Sequence, residues 1–327
     1  MDQEPFAIGI DCGGTKIEVA SVTTNGKLLY SEKIQTDISG GFSAVLEQMH
    51  FLIEKLIVLS PKNSFKGIGV GIAAQVDSQT EQILFAPNLK WKNVNLKEGL
   101  EKKWKVPVKI INDVRAITWG EFLFGAGKNS RDMFCMFVGT GIGGGMVSDY
   151  QLIKGSTNCF GEVGHIVIER DGEPCTCGGI GCLEAYAGGW AITQFAQQQV
   201  QLDPKGGEYL LHLVAYEVEK LTPKEVFEAA DKGDPLALKI KRRITKALIA
   251  GCTTVVNLLN PSLIVFGGGI LDGAPDLIAE IEQGILKHSL KAATQSLHVK
   301  RALLGKDAGT IGAASLILQN KERGFYD

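Results

Sequence analysis

Residues 8–30, IGIDCGGTKIEVASVTTNGKLLY, and residues 136–155, MFVGTGIGGGMVSDYQLIKG, share one plan. Each runs as strand, glycine-rich turn, strand, short turn and return run. A looser echo joins GIGVGIAAQVD (67–77) to LIVFGGGILDG (263–273), each a buried strand entering a turn of small residues after a long helix. The chain therefore reads as two related halves. Two similar α/β domains facing each other leave a cleft, and clefts at domain interfaces are where small ligands bind.

The first half opens with strand-like runs at Phe6–Ile10, Lys16–Val22 and Lys27–Ile34, separated by the turn signals Asp11-Cys12-Gly13-Gly14 and Asn25-Gly26. From Phe42 to Leu59 apolar residues recur at three- and four-residue spacing, which predicts an amphipathic helix. Strands follow at Gly67–Ala73 and Pro107–Ile111, and the second ends in Asn112-Asp113. The first domain is expected to close near residue 115. The second half begins with a strand at Met133–Val138, a glycine turn at Gly139–Gly145 and a strand from Met146. Helical patterns cover 186–200, 224–258 and 274–287, and a C-terminal helix over Gly309–Lys321 follows the run Val299–Leu304. Between them, 155–183 is irregular and rich in Gly and Cys.

The composition narrows the function classes. The chain has 327 residues, enough for about two domains. Its 34 basic and 36 acidic side chains leave a net charge of −2, a poor basis for gathering nucleic acid or an anionic membrane. No apolar run approaches the roughly 18 residues of a membrane span, and MDQEPF carries acids where a secretory signal carries lysines, so a soluble cytoplasmic protein is expected. Glycine is the outlier: 40 residues, well above average usage and clustered, which implies many close backbone approaches.

Four motifs carry chemistry. Gly139-Thr140-Gly141-Ile142-Gly143-Gly144 matches G-x-G-x-x-G literally, but a dinucleotide fingerprint must open a helix, and the following Gly145–Tyr150 reads as strand and turn. No G-x-x-x-x-G-K-[ST] is present either. What remains is two glycine hairpins, Asp11–Thr15 and Gly139–Gly145, each with one Thr. They are either tight turns or anion cradles of bare N–H groups, and their occurrence in both halves favours the second. Asp113 stands at the carboxyl end of a buried strand, where open α/β sheets place ligand-handling residues; it reads either as a general base or as the cap of the helix beginning near Val114. His165, Cys175, Cys177 and Cys182 make a Cys₃His set fit for structural zinc, with packed reduced thiols as the alternative. Cys12, Cys135, Cys159 and Cys252 stand apart as ordinary thiols.

The set IDCGGTK, NDVRAITWGE, FVGTGIGGG, GEVGH, CTCGGIGCLE and NPSLIVFGGGI resembles the ROK family of bacterial sugar kinases and related repressors, within the actin-like ATPase superfamily. The resemblance spans the whole chain. It implies two actin-like (ribonuclease H-like) α/β domains flanking a ligand cleft: residues 1–115 rejoined by a C-terminal helix at about 306–327, and 116–305 carrying a zinc-binding insertion at about 155–185. It implies an ATP- and Mg2+-dependent sugar kinase acting on a hexose 6-hydroxyl, glucose first, with N-acetylglucosamine, N-acetylmannosamine, mannose or fructose as alternatives. On this resemblance Asp113 is the catalytic base. Sugar contacts fall on Asn88, Asn112, Asp113, Glu162, His165 and Glu184. ATP phosphates fall to the hairpins through Gly13, Gly14, Thr15, Lys16, Gly139, Thr140, Gly141 and Gly143, with Asp11 near magnesium and Gly267, Gly268 and Gly269 against the adenosine. Structural zinc falls on His165, Cys175, Cys177 and Cys182, and a homodimer or higher homo-oligomer is implied. A family repressor carries a DNA-binding module before the first hairpin; with ten residues ahead of Asp11, a kinase is expected instead of that sugar-responsive regulator. Two stretches depart from the family pattern: Gly71-Ile72-Ala73-Ala74-Gln75-Val76-Asp77 lacks a usual Pro and Gly, and Val114-Arg115 replaces smaller residues after Asn112-Asp113. Both lie close to the expected sugar pocket.

Overall fold

The computed structural model describes residues 4–61 and 64–319. The chain folds into two compact units. The first comprises the described parts of Met1–Phe134, Gly145–Gly161 and Ala302–Asp327; the second comprises Cys135–Gly144 and Glu162–Arg301.

In the first unit, β1 (Phe6–Cys12), β2 (Lys16–Thr23) and β3 (Leu28–Gln35) form the expected antiparallel meander. Helix α1 (Gly41–Leu59) follows, burying Val45, Met49, Leu52, Ile53 and Leu56 at helical spacing. β4 (Phe65–Ile72) then pairs parallel with β1, and β8 (Val108–Asn112) pairs parallel with β4. The sheet order is β3-β2-β1-β4-β8. Between β4 and β8 lie a small sheet of β5 (Gln75–Val76), β6 (Ile83–Ala86) and β7 (Trp91–Val94) and helix α2 (Leu96–Trp104), which the apolar pattern did not announce. Helix α3 (Asp113–Phe124) leaves the end of β8. The C-terminal helix α12 (Ala308–Leu318) packs on this unit's sheet and stops at its extended C-cap Gln319, short of the expected Lys321; residues 320 and 321 lie outside the described residues.

Several glycines serve this packing instead of turns. A Cβ at Gly9 would lie 1.9 Å from the Thr310 carbonyl oxygen, one at Gly69 1.8 Å from that of Ala313, and one at Gly312 1.7 Å from that of Ala116. Only glycine lets α12 approach β1, β4 and α3 so closely.

The second sheet has the order β11-β10-β9-β12-β13, with β9 (Met133–Val138), β10 (Ile142–Ser148), β11 (Gln151–Leu152), β12 (Leu263–Gly267) and β13 (His298–Arg301). The order is that of the first sheet: three consecutive strands, then β12 and β13, which pair parallel with each other. The duplication read from the two glycine hairpins is thus a duplication of topology.

The helices of the second unit are α4 (Glu184–Ala187), α5 (Gly189–Leu202), α6 (Glu208–Leu213), α7 (Pro223–Asp231), α8 (Pro235–Leu259), α9 (Gly269–Gly273), α10 (Asp276–His288) and α11 (Lys291–Thr294). The single pattern expected over 224–258 is two helices. Gly233 takes φ +82°, Asp234 caps the Ala237 N–H at 2.8 Å, and Pro235 opens α8 with its fixed φ. No helix among the described residues is long and apolar enough to cross a membrane.

Candidate active site and metal centre

In the first unit, pairing places Asp11 beside Gly71 and Gly71 beside Ile111, so Asp11 and Asp113 both stand at the carboxyl edge of the parallel strands. The two competing readings of Asp113 separate here. Asn112 is the N-cap of α3: its Oδ1 accepts from the Arg115 N–H at 3.3 Å, and its Nδ2 donates to Asp113 Oδ1 at 2.9 Å. Asp113 is thus the first residue of the helix and not its cap, though its carboxyl also takes the backbone N–H groups of Val114 and of Asp113 itself. Burial pushes its carboxyl above the ordinary value, partly offset by backbone N–H groups of the helix start. Asp11 is pushed up to about 6, first by burial and then by the neighbouring Asp113 charge. Two partly buried carboxyls with raised pKa values suit a divalent cation, whose charge favours their ionised forms.

The first hairpin is closed by Gly13 N–H to Lys16 O at 3.0 Å, so that amide is engaged within the turn. The Thr36 hydroxyl donates to Gly13 O at 2.8 Å, and Thr36 N–H to Thr15 O at 3.0 Å. Lys16 Nζ pairs with Glu18 at 3.2 Å. A Cβ at Gly14 would lie 2.6 Å from the Asn88 carbonyl oxygen, which brings this hairpin and Asn88 together.

The second hairpin is shorter than expected. β10 starts at Ile142, so Gly143–Gly145 are strand residues, and Gly145 is a packing position: a Cβ there would meet the Thr118 hydroxyl at 2.3 Å. Gly139 N–H donates to Gly141 O at 2.9 Å, while the Gly139 and Thr140 carbonyls accept from Gly189 and Trp190 N–H groups at 2.9 and 3.2 Å. Glu184, at 9% exposure, accepts the Ile142 N–H on Oε2 at 2.7 Å and the Trp190 indole N–H on Oε1 at 3.1 Å. A Cβ at Gly141 would lie 2.5 Å from Glu184 Oε2. A cavity of about 510 Å³ gathers Gly139, Thr140, Trp190, Pro223 and Gly269, so residues expected at opposite ends of a nucleotide share one wall. The adjoining Gly268 takes φ +95°, and a Cβ there would strike Val138 O at 2.5 Å.

The Cys₃His set converges. The donor atoms of His165, Cys175, Cys177 and Cys182 all lie within 4.8 Å of one another. Cys177 Sγ is 3.7 Å from Cys182 Sγ, and Cys175 Sγ is 3.7 Å from His165 Nδ1. A tetrahedron of ligands about 2.3 Å from zinc has S···S edges of about 3.8 Å, so the donor set fits zinc with little movement. Burial pushes the Cys182 thiol up to about 12, whereas the Gly179 N–H lowers that of Cys177. The loop is held by bridges Val167↔Cys182 and Pro174↔Ile180, and a Cβ at Gly181 would sit 1.6 Å from Glu169 O. Glu162 precedes the short 3₁₀ turn Val163–His165, and His165 N–H donates to its carbonyl at 3.0 Å. Of the remaining thiols, Cys12, Cys135 and Cys252 are buried and Cys159 is exposed.

Sequence reasoning missed two groups. Arg115 is buried at 2% exposure; its Nη1 donates to Asn158 at 2.6 Å, and Asn158 Nδ2 donates to Val76 O at 2.9 Å. Both departures from the family pattern are thereby joined through one amide. The signal was the paired departure itself. Trp190 is the second, and no periodicity points to an indole bonded to a glutamate six residues earlier.

The fold and these hairpins define a protein of the actin-like ATPase class. The ROK family model matches residues 7–320, and the chain belongs to the ROK family. It is 33% identical to a glucokinase of Streptomyces coelicolor over 95% of this chain and 97% of that one. The crystal structure of a ROK glucokinase from Streptomyces griseus in complex with glucose and AMPPNP superposes with a TM-score of 0.82 at 32% identity, covering 96% of this chain and 100% of that one. A xylose repressor of Caldicellulosiruptor bescii is 27% identical over 96% of this chain and 78% of its own length.

Proposed function

We propose that this sugar phosphotransferase transfers the γ-phosphoryl group of ATP to the 6-hydroxyl of glucose. The observation that carries the reading is the pair of partly buried carboxylates, Asp11 and Asp113, at the carboxyl edge of the first sheet, with Asn112 as the N-cap residue of α3. A carboxylate held above its ordinary pKa by burial is a better proton acceptor than one in water. Asp113 accepts the proton of the attacking hydroxyl, and Asn112 orients the acid through its 2.9 Å bond. Asp11 would hold magnesium, which when bound neutralises charge on the phosphates. The hairpin amides not used inside their own turns, with Thr15 and Thr140, face the phosphates; Gly267–Gly269 take the adenosine.

Glu184, His165, Glu162, Asn88 and Asn112 contact the sugar hydroxyls. Each carboxylate oxygen of Glu184 keeps a second lone pair for a hydroxyl after accepting its protein bond. The Cys₃His set holds zinc as a closed structural site, with no open position for a Lewis-acid step. His165 meets Cys175 through Nδ1, which leaves Nε2 for the substrate.

The likeness to glucokinases over nearly the full length of both chains supports glucose as substrate. N-acetylglucosamine, N-acetylmannosamine, mannose and fructose are the alternatives, and the Arg115–Asn158–Val76 chain is where selectivity among them would arise. The likeness to a xylose repressor supports a second reading, a sugar-responsive regulator without turnover. An ADP-release assay against these five sugars separates them all. Glucose-dependent ADP release with the highest kcat/KM supports the proposal; another hexose preferred by tenfold reassigns the substrate, and sugar binding without ADP release overturns the kinase reading.

A further inference from the structure

Trp190 holds two positions at once. Its indole N–H, a donor with no acceptor capacity, is spent on Glu184 Oε1 at 3.1 Å. Its backbone N–H is tied to Thr140 O at 3.2 Å, so the side chain pivots from the second hairpin itself. The residue lines the 510 Å³ cavity with Gly139, Thr140 and Gly269, and also a neighbouring cavity of about 400 Å³ with Phe195 and Arg243. The far wall of the second cavity is stiff: the Arg243 guanidinium lies 3.8 Å from the Phe195 ring centroid, 4.7 Å from that of Tyr186, and 2.8 Å from Glu173. A planar group entering the first cavity therefore meets an indole whose N–H fixes a buried carboxylate.

We propose that Trp190 is a positioning residue that couples occupancy of this cavity to the orientation of Glu184, and through Glu184 makes sugar affinity depend on bound nucleotide. The inference rests on the proposed function for the cavity and for Glu184. An occupant that packs on the ring restricts its rotation about χ1 and χ2 and so locks the N–H···Oε1 bond. Glu184 is then held between Trp190 and Ile142 N–H, and the sugar no longer has to order it on binding. Coupling of this kind is reciprocal: sugar tightens nucleotide by the factor by which nucleotide tightens sugar.

The test uses the whole protein with its indole nitrogens labelled with ¹⁵N. The chain has four tryptophans, and the Trp190 signal is assigned as the one missing in Trp190→Phe. AMPPNP alone, without sugar, should shift and sharpen this signal; an unmoved signal at saturation overturns the inference. Glucose affinity is then measured with and without saturating AMPPNP. Wild type should bind glucose more tightly with the analogue. Trp190→Phe, which keeps a ring against the cavity but loses the N–H, should bind glucose about tenfold more weakly. Its glucose affinity should change less than twofold with AMPPNP, while AMPPNP alone binds within about threefold of wild type.

A Phe variant with wild-type glucose affinity and coupling overturns the proposal, as does a wild type without coupling. Should Trp190→Phe fail to fold, Glu184→Gln serves, since it keeps the indole but weakens its acceptor. The Trp190 proton should then move upfield and lose its response to AMPPNP, and an unchanged response overturns the proposal. Absence of ADP release with every sugar defeats the kinase reading instead, because the indole response to AMPPNP is read without sugar or turnover.

Discussion

At the level of single residues, the proposed function turns on Asn112 and Asp113, where β8 passes into α3. The sequence offers Asp113 either as the cap of the helix or as a general base, and leaves that choice open. The structure gives the cap to Asn112, whose Nδ2 also donates to Asp113 Oδ1, and the proposed function makes that carboxylate the proton acceptor. Asp113→Asn is expected to lower kcat by about a hundred- to ten-thousand-fold with AMPPNP affinity nearly unchanged. Steady-state rates and a nucleotide titration check this, and a near-normal kcat would remove Asp113 from the chemistry. The raised carboxyls also set a pH dependence. Asp11, ordinarily at 3.8, is pushed up to about 6 in the folded chain, so on the proposed function it would be neutral and release the cation below that pH. The acid limb of kcat/KM should fall near pH 6, not near 4, and excess magnesium should move it downward. The stability effect has the opposite sign. The folded state binds this proton more tightly than the unfolded one, so the contribution of Asp11 weakens as pH rises from about 4 to about 6. Melting temperatures at pH 7.5 should therefore rise on adding magnesium, more than at pH 5.

Among the elements, the second hairpin carries a consequence that its glycines alone do not show. Gly141 is small because Glu184 lies against it, with an added Cβ only 2.5 Å from Oε2. Gly141→Ala should displace that carboxylate from the Ile142 N–H and raise KM for sugar by about tenfold, with KM for ATP affected no more than sugar. A selective loss of ATP affinity at unchanged melting temperature would contradict this and return Gly141 to the phosphates alone. The Cys₃His loop is the other element with a testable role. Cys177 is the exposed member of its three cysteines and contributes little to packing, so Cys177→Ser tests the metal more than the core. The variant should lose stoichiometric zinc by metal analysis and bind glucose about tenfold more weakly, with AMPPNP binding within about threefold. Wild type without zinc, or a zinc-free variant with normal glucose affinity, would break the link between metal and sugar.

Across the whole molecule, the chain says the same thing twice. β3-β2-β1-β4-β8 and β11-β10-β9-β12-β13 are one permutation, and each meander turns through a glycine hairpin. Strand alternation and turn glycines are local signals, so the meanders, α1, both hairpins and the Cys₃His spacing were legible in the sequence. Less was legible where the signal is weak or shared. α2 and the β5-β6-β7 sheet have short, mixed patterns, and α7 and α8 read as one helix until Gly233-Asp234-Pro235 is seen to break it.

The repeated α/β plan, the residue types of the candidate site and the spacing of the Cys₃His set are therefore properties of the sequence alone, because they depend on periodicity and on intervals of a few residues. Which glycines face turns and which serve packing is a property of the folded chain. Gly9, Gly69 and Gly312 are held by α12 and α3, elements brought to them from far along the chain. Long-range packing likewise joins Arg115 to Val76 through Asn158, and sets Glu184 between Ile142 and Trp190. Those contacts bridge as many as 82 residues of chain. Burial then makes each unsatisfied partner costly, and so fixes pairings that no local pattern encodes.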